Sequence, residues 1–353
     1  MQQYILSENI NIFIDKDKLQ TILNNPEKAS QFNRFRTLIE HGLDQLPFPG
    51  SGRTLERWKT LAKIGSTNLS LAKLYEGHTD ALAITAELEA PLLWEGQAWA
   101  VWCAEPPNMR VCAHGDFRNL SIGNGTEVKL TGTKPWCSGA SVVDNALVSC
   151  WLPDGRRCLV ALAMNQSTIA INSSKWNAVG MADSSSAEVS FEETAGILVG
   201  SPESYLTRPG FIHGGGGVAA CWYGAAKRIA SYLHQTTIAT KEDSYRLVHL
   251  GAIDVALSSA AALLTEAAHQ IDLRPTEPCA LEVTRARLAV EDAVNEVLRR
   301  VPRALGPGPL CTDKDLAQLI ADLPIFVRQS HAEQDQAALG RLIVKARPDP
   351  WTL

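Results

Sequence analysis

The chain has no Cys-x-x-Cys pair: its eight cysteines, at 103, 112, 137, 150, 158, 221, 279 and 311, stand far apart. This spacing excludes a zinc ribbon and a redox dithiol, and leaves most of the thiols as small buried hydrophobes. No Gly-x-Gly-x-x-Gly follows a strand-like run and no Walker pattern occurs, so neither a Rossmann site nor a nucleoside-triphosphate loop is expected. Basic residues are outnumbered, 33 against 38 acidic ones, and the signs are intermingled, giving a formal net charge of -5. Without a basic stripe, nucleic acid is not an expected partner, and small molecules are. The opening MQQYILSENINIFIDKDK lacks a basic start followed by an apolar run, and no uninterrupted apolar stretch reaches membrane-spanning length. A cytoplasmic protein with reduced thiols and no membrane association is therefore expected. Internal repeats and low-complexity tracts are also missing.

What the chain does have is 45% hydrophobic residues over 353 positions, enough for substantial cores. Over residues 15–90 the spacing is helical: Leu55, Trp58, Leu61 and Ala62 recur at three- and four-residue intervals, and Leu69, Leu71, Leu74 and Tyr75 continue the series. From 98 to 193 short β-type runs, at 99–103, 146–151, 158–163, 168–171 and 187–191, alternate with glycine, asparagine and proline. Strands so closely spaced predict a compact β-barrel-like domain. After Gly200 the helical pattern returns, with stripes over 245–271 and 281–301 that predict a helical bundle. The run 306–309, Gly-Pro-Gly-Pro, breaks the chain before a last helix that Pro324 is expected to open. The expected class is α+β, with boundaries near 94 and 203 and domains at 1–94, 95–203 and 204–353.

The segment 130–140, LTGTKPWCSGA, carries the most chemistry. Strand formers flank it, so it is expected as a loop at a sheet rim, with Trp136 two residues before the Ser138 hydroxyl. There an indole can cover one face of a flat ring system while Ser138 donates to a ring heteroatom. The four glycines at 214–217 invite two readings, an anion cradle at a helix N-terminus or close helix packing; the second, opening space above a bound ring, is preferred.

The loop resembles the Gly-x-Lys-x-Trp-x-Ser/Thr flavin loop of acyl-CoA dehydrogenases. Residues 176–191, WNAVGMADSSSAEVSF, resemble the same family's later signature through Gly180, Met181, Ser184, Ser186, Val189 and Phe191. Glu105 and Pro106 stand where the family has Thr-Glu-Pro, and 210–226, GFIHGGGGVAACWYGAA, is similar to the start of its C-terminal helical domain. The resemblance implies the acyl-CoA dehydrogenase fold: an N-terminal helical domain, a central β-barrel-like domain and a C-terminal four-helix bundle. It also implies FAD, with FMN as the alternative, wedged between sheet and bundle, and a homodimer or homotetramer. Trp136, Ser138, Glu105 and Arg246, the last in a loose counterpart of the family's Arg-x-x-Phe-Gly, become the expected cofactor contacts. The expected substrate is an acyl or otherwise hydrophobic small molecule, CoA-linked or carrier-linked, oxidised at a CH-CH bond.

Two departures qualify the activity. The family's glutamate base falls here near Leu339 and Gly340 or within 214–217, and neither place holds a carboxylate. Glu333 and Asp335 substitute only if the helix shifts. Ala104 replaces the family's threonine, and the usual Gly-Ser-Asp is missing from PPNMRV. The flavin monooxygenase branch of the superfamily resembles this chain in placing a histidine after the arginine of the last helix and another in the N-terminal domain. Here these are His331 and His78, and with Asp335 they are the expected catalytic residues, gathered in one pocket with Ser138. Arg328, His331 and Asp335, spaced by three and four, are expected to share one helical face. A reduced-flavin-dependent monooxygenase is thus the alternative to acyl-thioester oxidation. A non-catalytic, degenerate homologue is the second alternative.

Overall fold

Asparagine or aspartate stands at the start of several helical runs, and in the computed structural model these side chains cap the helices they precede. The structure describes residues 14–25, 30–90, 96–115, 122–346 and 351; the expected boundary at 94 lies outside them. The first helices are α1 (Lys16–Asn24), α2 (Gln31–Glu40), α3 (Thr54–Gly65) and α4 (Leu69–Glu87). Asn68 caps α4 by accepting from the Leu71 amide at 2.8 Å. Unlike a surface helix, α4 is apolar nearly all round, and most of its residues are buried.

Among the described residues seven strands follow: β1 (Trp99–Trp102), β2 (Val111–His114), β3 (Glu127–Cys137), β4 (Asn145–Trp151), β5 (Arg157–Ala163), β6 (Ile169–Asn172) and β7 (Ala187–Val199). Pairings run β4-β5-β7-β3-β2, and the ring returns to β4 through one residue pair, Cys112 with Trp151. β1 adds to β4 in parallel and β6 adds to β7. The barrel is thus nearly open at its β2–β4 seam. β4 and β5 are buried on both faces, which is why they read as continuous apolar runs. One face fills the barrel; the other meets Ala81 and Ile84 of α4 in a cluster with Trp99, Leu147, Leu159 and Val199.

The remaining helices are α5 (Ser204–Thr207), α6 (Pro209–Ala239), α7 (Ser244–Leu273), α8 (Ala280–Leu305), α9 (Pro307–Thr312), α10 (Lys314–Phe326) and α11 (Glu333–Lys345). α6, α7 and α8 pack on one another, and α3 and α10 flank α6. At the α3–α6 crossing a Cβ on Gly224 would overlap the Ala62 carbonyl, so a glycine is needed for the backbones to approach this closely.

Two expectations are corrected. Pro324 lies inside α10 near its end rather than opening a helix; Asp313 caps that helix instead. Segment 130–140 is no free loop, because β3 continues to Cys137 and pairs with β7 that far. The exclusion of a membrane-length apolar segment holds only for uninterrupted runs: α7 has a mean hydropathy of 1.8 over its best window and is little buried in this chain.

His213 on α6 is buried, and its Nε2 lies 2.9 Å from the Glu277 carbonyl, to which the neutral ring donates. Burial lowers its pKa below the ordinary 6.5, outweighing that hydrogen bond. The unfolded chain therefore binds the proton first as pH falls, so this contribution to stability is complete above about pH 6.5 and is lost below it. Urea unfolding is expected to show stability falling between neutral pH and about pH 5, with a shallower slope in His213→Gln, which keeps a donor but does not titrate. An identical slope in the variant excludes His213 as the source.

Candidate active site

Lys73, Glu76, Gly77 and Asp80 are spaced by three, one and three, so they share one face of α4. That face lines a cavity of about 610 Å³ between α4, the sheet and α6. Trp102, Trp136, Ser138, Trp176 and Met181 form the wall on the sheet side; Phe211, Gly214 and Val218 form the α6 side; Phe326, Arg328 and His331 lie at the end.

Trp136 owes its position to the preceding proline. Pro135 has no amide hydrogen for the ladder, and between Lys134 and Cys137 the β3–β7 register shifts. In the resulting bulge Trp136 takes φ +55°, and its side chain turns out of the sheet, 59% exposed. The neighbours of the bulge hold it. Lys134 is buried behind the sheet, its Nζ 3.0 Å from Ser149 Oγ, 3.3 Å from the Ala104 carbonyl and 3.5 Å from Glu105 Oε1. Cys137 is buried again on the far side.

Beside the indole runs a chain of hydroxyls. Ser138 Oγ is 2.7 Å from Ser186 Oγ, Ser186 Oγ is 2.9 Å from Ser184 Oγ, and Ser184 donates to the Met181 carbonyl at 2.8 Å. A carbonyl only accepts, so the chain has one direction: Ser184 donates to Met181, Ser186 to Ser184 and Ser138 to Ser186. The Ser138 hydrogen is spent, and its lone pairs are what it offers the cavity. This reverses the expected donor role of Ser138. The loop that carries the chain is clamped by α10: a Cβ on Gly180 would overlap the Ala321 carbonyl, and the Met181 amide donates to Asp322 Oδ1 at 2.6 Å. Burial raises the Asp322 carboxyl above its ordinary value despite that bond.

Most charges on the wall are paired within the protein. Lys73 meets Glu76 at 2.9 Å, Arg208 meets Glu87 at 2.6 Å, and Arg328 meets Glu291 at 2.6 Å. Asp80 is different. It faces the cavity, and burial raises its carboxyl pKa, with Arg208 opposing from a distance.

The sequence-predicted residues are thus only partly gathered. Trp136, Ser138 and His331 line the cavity. His78 does not, contrary to expectation: it points from α4 toward the sheet, where Nε2 lies 3.0 Å from Asp44 Oδ2 and Nδ1 accepts from the Trp99 amide at 3.1 Å. Glu105 turns into an adjoining cavity of about 230 Å³ and accepts from Ser149 Oγ at 2.7 Å. Arg246 sits in the first turn of α7, bound to Asp243 at 3.1 Å and to the Thr240 hydroxyl, away from the cavity. Arg328, His331 and Asp335 do not share a helix, because the chain turns at Ala332 (φ +46°) before α11 begins. Asp335 still accepts from the His331 amide at 3.1 Å, and its Oδ1 is 3.6 Å from Nδ1. The glycines at 214–217 lie within α6 and form no anion cradle; they admit Trp58, Arg287 and Asp80 against the helix. Among the described residues no His, Cys, Asp and Glu cluster suits a metal ion. Sequence reading missed Asp80, Glu76 and Lys73, although their three- and four-residue spacing in an apolar helix was visible.

No protein-family model and no curated protein matches the sequence. Solved structures do match in fold. FMN-bound TdsC from Paenibacillus sp. A11-2, also described as a dibenzothiophene monooxygenase, is 18% identical with a TM-score of 0.74, over 94% of this chain and 95% of that one. Methanesulfinate monooxygenase MsuC from Pseudomonas fluorescens is 18% identical with a TM-score of 0.70, over 95% and 96%. KijD3, in complex with FMN and a dTDP-amino-keto-sugar, is 14% identical with a TM-score of 0.75, over 95% and 94%. The chain therefore has the acyl-CoA dehydrogenase-like fold shared by these proteins, over nearly its whole length.

The two histidines are expected to separate by stability. His78→Ala leaves the buried Asp44 carboxylate without its partner and should lower unfolding free energy by about 3 kcal/mol in urea titrations. His331→Ala, at an exposed turn, should stay within about 0.5 kcal/mol of wild type. Equal losses in both variants exclude the structural role given to His78.

Proposed function

We propose that this chain is a flavin-dependent oxidoreductase acting as a monooxygenase, which uses reduced FMN to oxygenate a small hydrophobic substrate. The observation that carries the reading is Trp136, an indole turned out of the sheet by a bulge and laid on the wall of a cavity large enough for a ring system and a substrate. The whole-length likeness in fold to proteins described as monooxygenases and as FMN complexes supports it. Oxidation of an acyl thioester has less support: α6 carries no carboxylate at 214–217, and 339 and 340 lie on α11, off the cavity.

When bound, reduced flavin supplies the electrons that activate dioxygen. The chain's own part is to bind, orient and keep dry. Trp136 would cover one face of the ring. Ser138, its hydrogen committed to Ser186, would accept from a ring N–H. Trp102, Trp176, Phe211, Val218 and Phe326 exclude water from the reacting centre. His331, with Asp335 behind it, carries a proton at the cavity end. FAD is the alternative cofactor.

The subunit acts as a homo-oligomer in this reading. Tyr245, Val248 and Val255 on α7 are spaced by three and seven and are 84%, 66% and 67% exposed, an apolar strip that a second copy of this chain covers.

FMN and FAD titrations followed by flavin fluorescence should give saturable binding, weakened about 10-fold in Trp136→Ala, a loss of about 1.4 kcal/mol. With NADH, a flavin reductase and ¹⁸O₂, labelled oxygen is expected in the product from a hydrophobic substrate panel. Saturable flavin binding that Trp136→Ala leaves intact removes the basis of the reading; failure of wild type to bind either flavin removes the reading itself, in favour of a non-catalytic homologue. For the oligomer, light scattering after size exclusion should show more than one subunit in wild type and a smaller species in Val248→Glu/Val255→Glu. A monomeric wild type overturns that part.

A further inference from the structure

Asp80 stands out among the charged groups of the cavity because it has no bonding partner. Lys73, Arg208 and Arg328 each spend their charge on a protein carboxylate, Glu76, Glu87 and Glu291 respectively, and His331 has Asp335 beside it. Asp80, one α4 turn beyond Glu76, faces the same space and makes no hydrogen bond or ion pair of its own among the described residues. An ionised carboxylate can accept from several donors at once, and one kept out of bulk water is stable only when donors reach it. The protein offers it distant charge instead: Arg208, Arg57 and Lys73 act on it through space, while Glu76 opposes them. Across the cavity α6 keeps the approach clear. A Cβ on Gly214 would come within 3.1 Å of Asp80 Oδ1, so any larger residue there would crowd the carboxylate. The surrounding wall is aromatic and aliphatic, with Trp102, Trp176, Phe211 and Val218 nearby, so an apolar ligand fits and only its polar edge needs an acceptor.

We propose that Asp80 is the specificity-determining residue of this cavity and that the substrate carries an N–H or O–H group on an apolar ring, which donates to the Asp80 carboxylate. The inference rests on the cavity being the substrate site of the proposed monooxygenase, and it narrows that reading from any hydrophobic molecule to hydrogen-donating ones. Burial raises the Asp80 pKa, and no hydrogen bond from the described residues offsets it, which is the mark of a carboxylate short of donors.

The test uses the full chain and two ligands of one shape, 2-naphthol and 2-methylnaphthalene, measured by equilibrium dialysis with and without saturating FMN. Asp80→Ala is expected to weaken 2-naphthol about 10-fold while leaving 2-methylnaphthalene within about 2-fold, since the lost bond is to a charged acceptor. Asp80→Asn, whose amide oxygen still accepts, should recover part of the loss. The proposal is overturned if Asp80→Ala weakens both ligands alike, if it changes neither, or if wild type takes up no 2-naphthol at millimolar concentration. A separate FMN titration distinguishes the two readings: loss of the naphthol preference with FMN binding intact sinks only the role of Asp80, whereas absent FMN binding sinks the flavin reading and leaves the dialysis result standing.

Discussion

The rotational setting of α4 is the constraint on which the site depends. The helix is buried on nearly every side, so its angle about its own axis is fixed by what each side touches. On one side His78 is held between Asp44 and the Trp99 amide, and Ala81 and Ile84 fill the sheet's outer face. On another, Tyr75 is buried and its hydroxyl donates to the Leu43 carbonyl at 2.5 Å. With these directions taken, the strip through Lys73, Glu76, Gly77 and Asp80 is what remains for the cavity. Successive residues on a helix are about 100° apart, so His78, which lies beyond Gly77 on the side opposite Glu76, falls outside that strip.

The opposite wall is fixed by different means. A bulge and a proline aim Trp136, a buried lysine pins the strand behind it, and α10 grips the loop that bears the serine chain. These anchors come from parts of the sequence far apart, the pair Met181 and Asp322 being separated by 141 positions. A wall built this way does not adapt to its ligand by small local shifts, because each displacement would open a packed contact elsewhere. In the proposed function such anchoring would serve orientation, which a ring cofactor and a substrate sharing one cavity require.

How much of this the sequence carried depends on whether the signal was local. The strand and helix patterns were readable because hydrophobic period is local physics, as in β4 and α8. Trp136 and Ser138 were readable as residues of a sheet rim because strand formers flank their segment. The direction of the Ser138 hydroxyl was not, since it is set by a carbonyl at Met181 that only the fold brings near. His78 misled for the same reason: a histidine in an apolar helix gives no sign of which side its partners, Asp44 and Trp99, will approach. The helix expected across Arg328, His331 and Asp335 failed at Ala332, a residue whose positive φ nothing in its identity announces. The role of Asp80 was not legible although its spacing from Glu76 and Lys73 was plain, because spacing does not tell which polar residues of a helix find protein partners, as Lys73 and Glu76 do in each other.

The polar stripe of α4 also explains how charged residues and a largely apolar cavity wall coexist. Lys73 with Glu76, Arg208 with Glu87 and Arg328 with Glu291 each close their charge inside the protein at 2.6 to 2.9 Å. Such pairs contribute little net stability, because desolvating both members offsets most of their attraction. Their consequence is geometric: Arg208 is tied to the end of α4, where Glu87 also accepts from the Gly210 amide at 2.8 Å, and so α6 is set against α4 at the cavity's edge. Arg328 and Ser330 both reach Glu291 on α8, which fixes the turn that carries His331. Internal pairing thus keeps most of the wall's charge from competing for a ligand. Selectivity then falls to the few polar atoms left without a protein partner, and the more completely the rest of the wall is paired, the more one unpaired acceptor can decide which ligand is held.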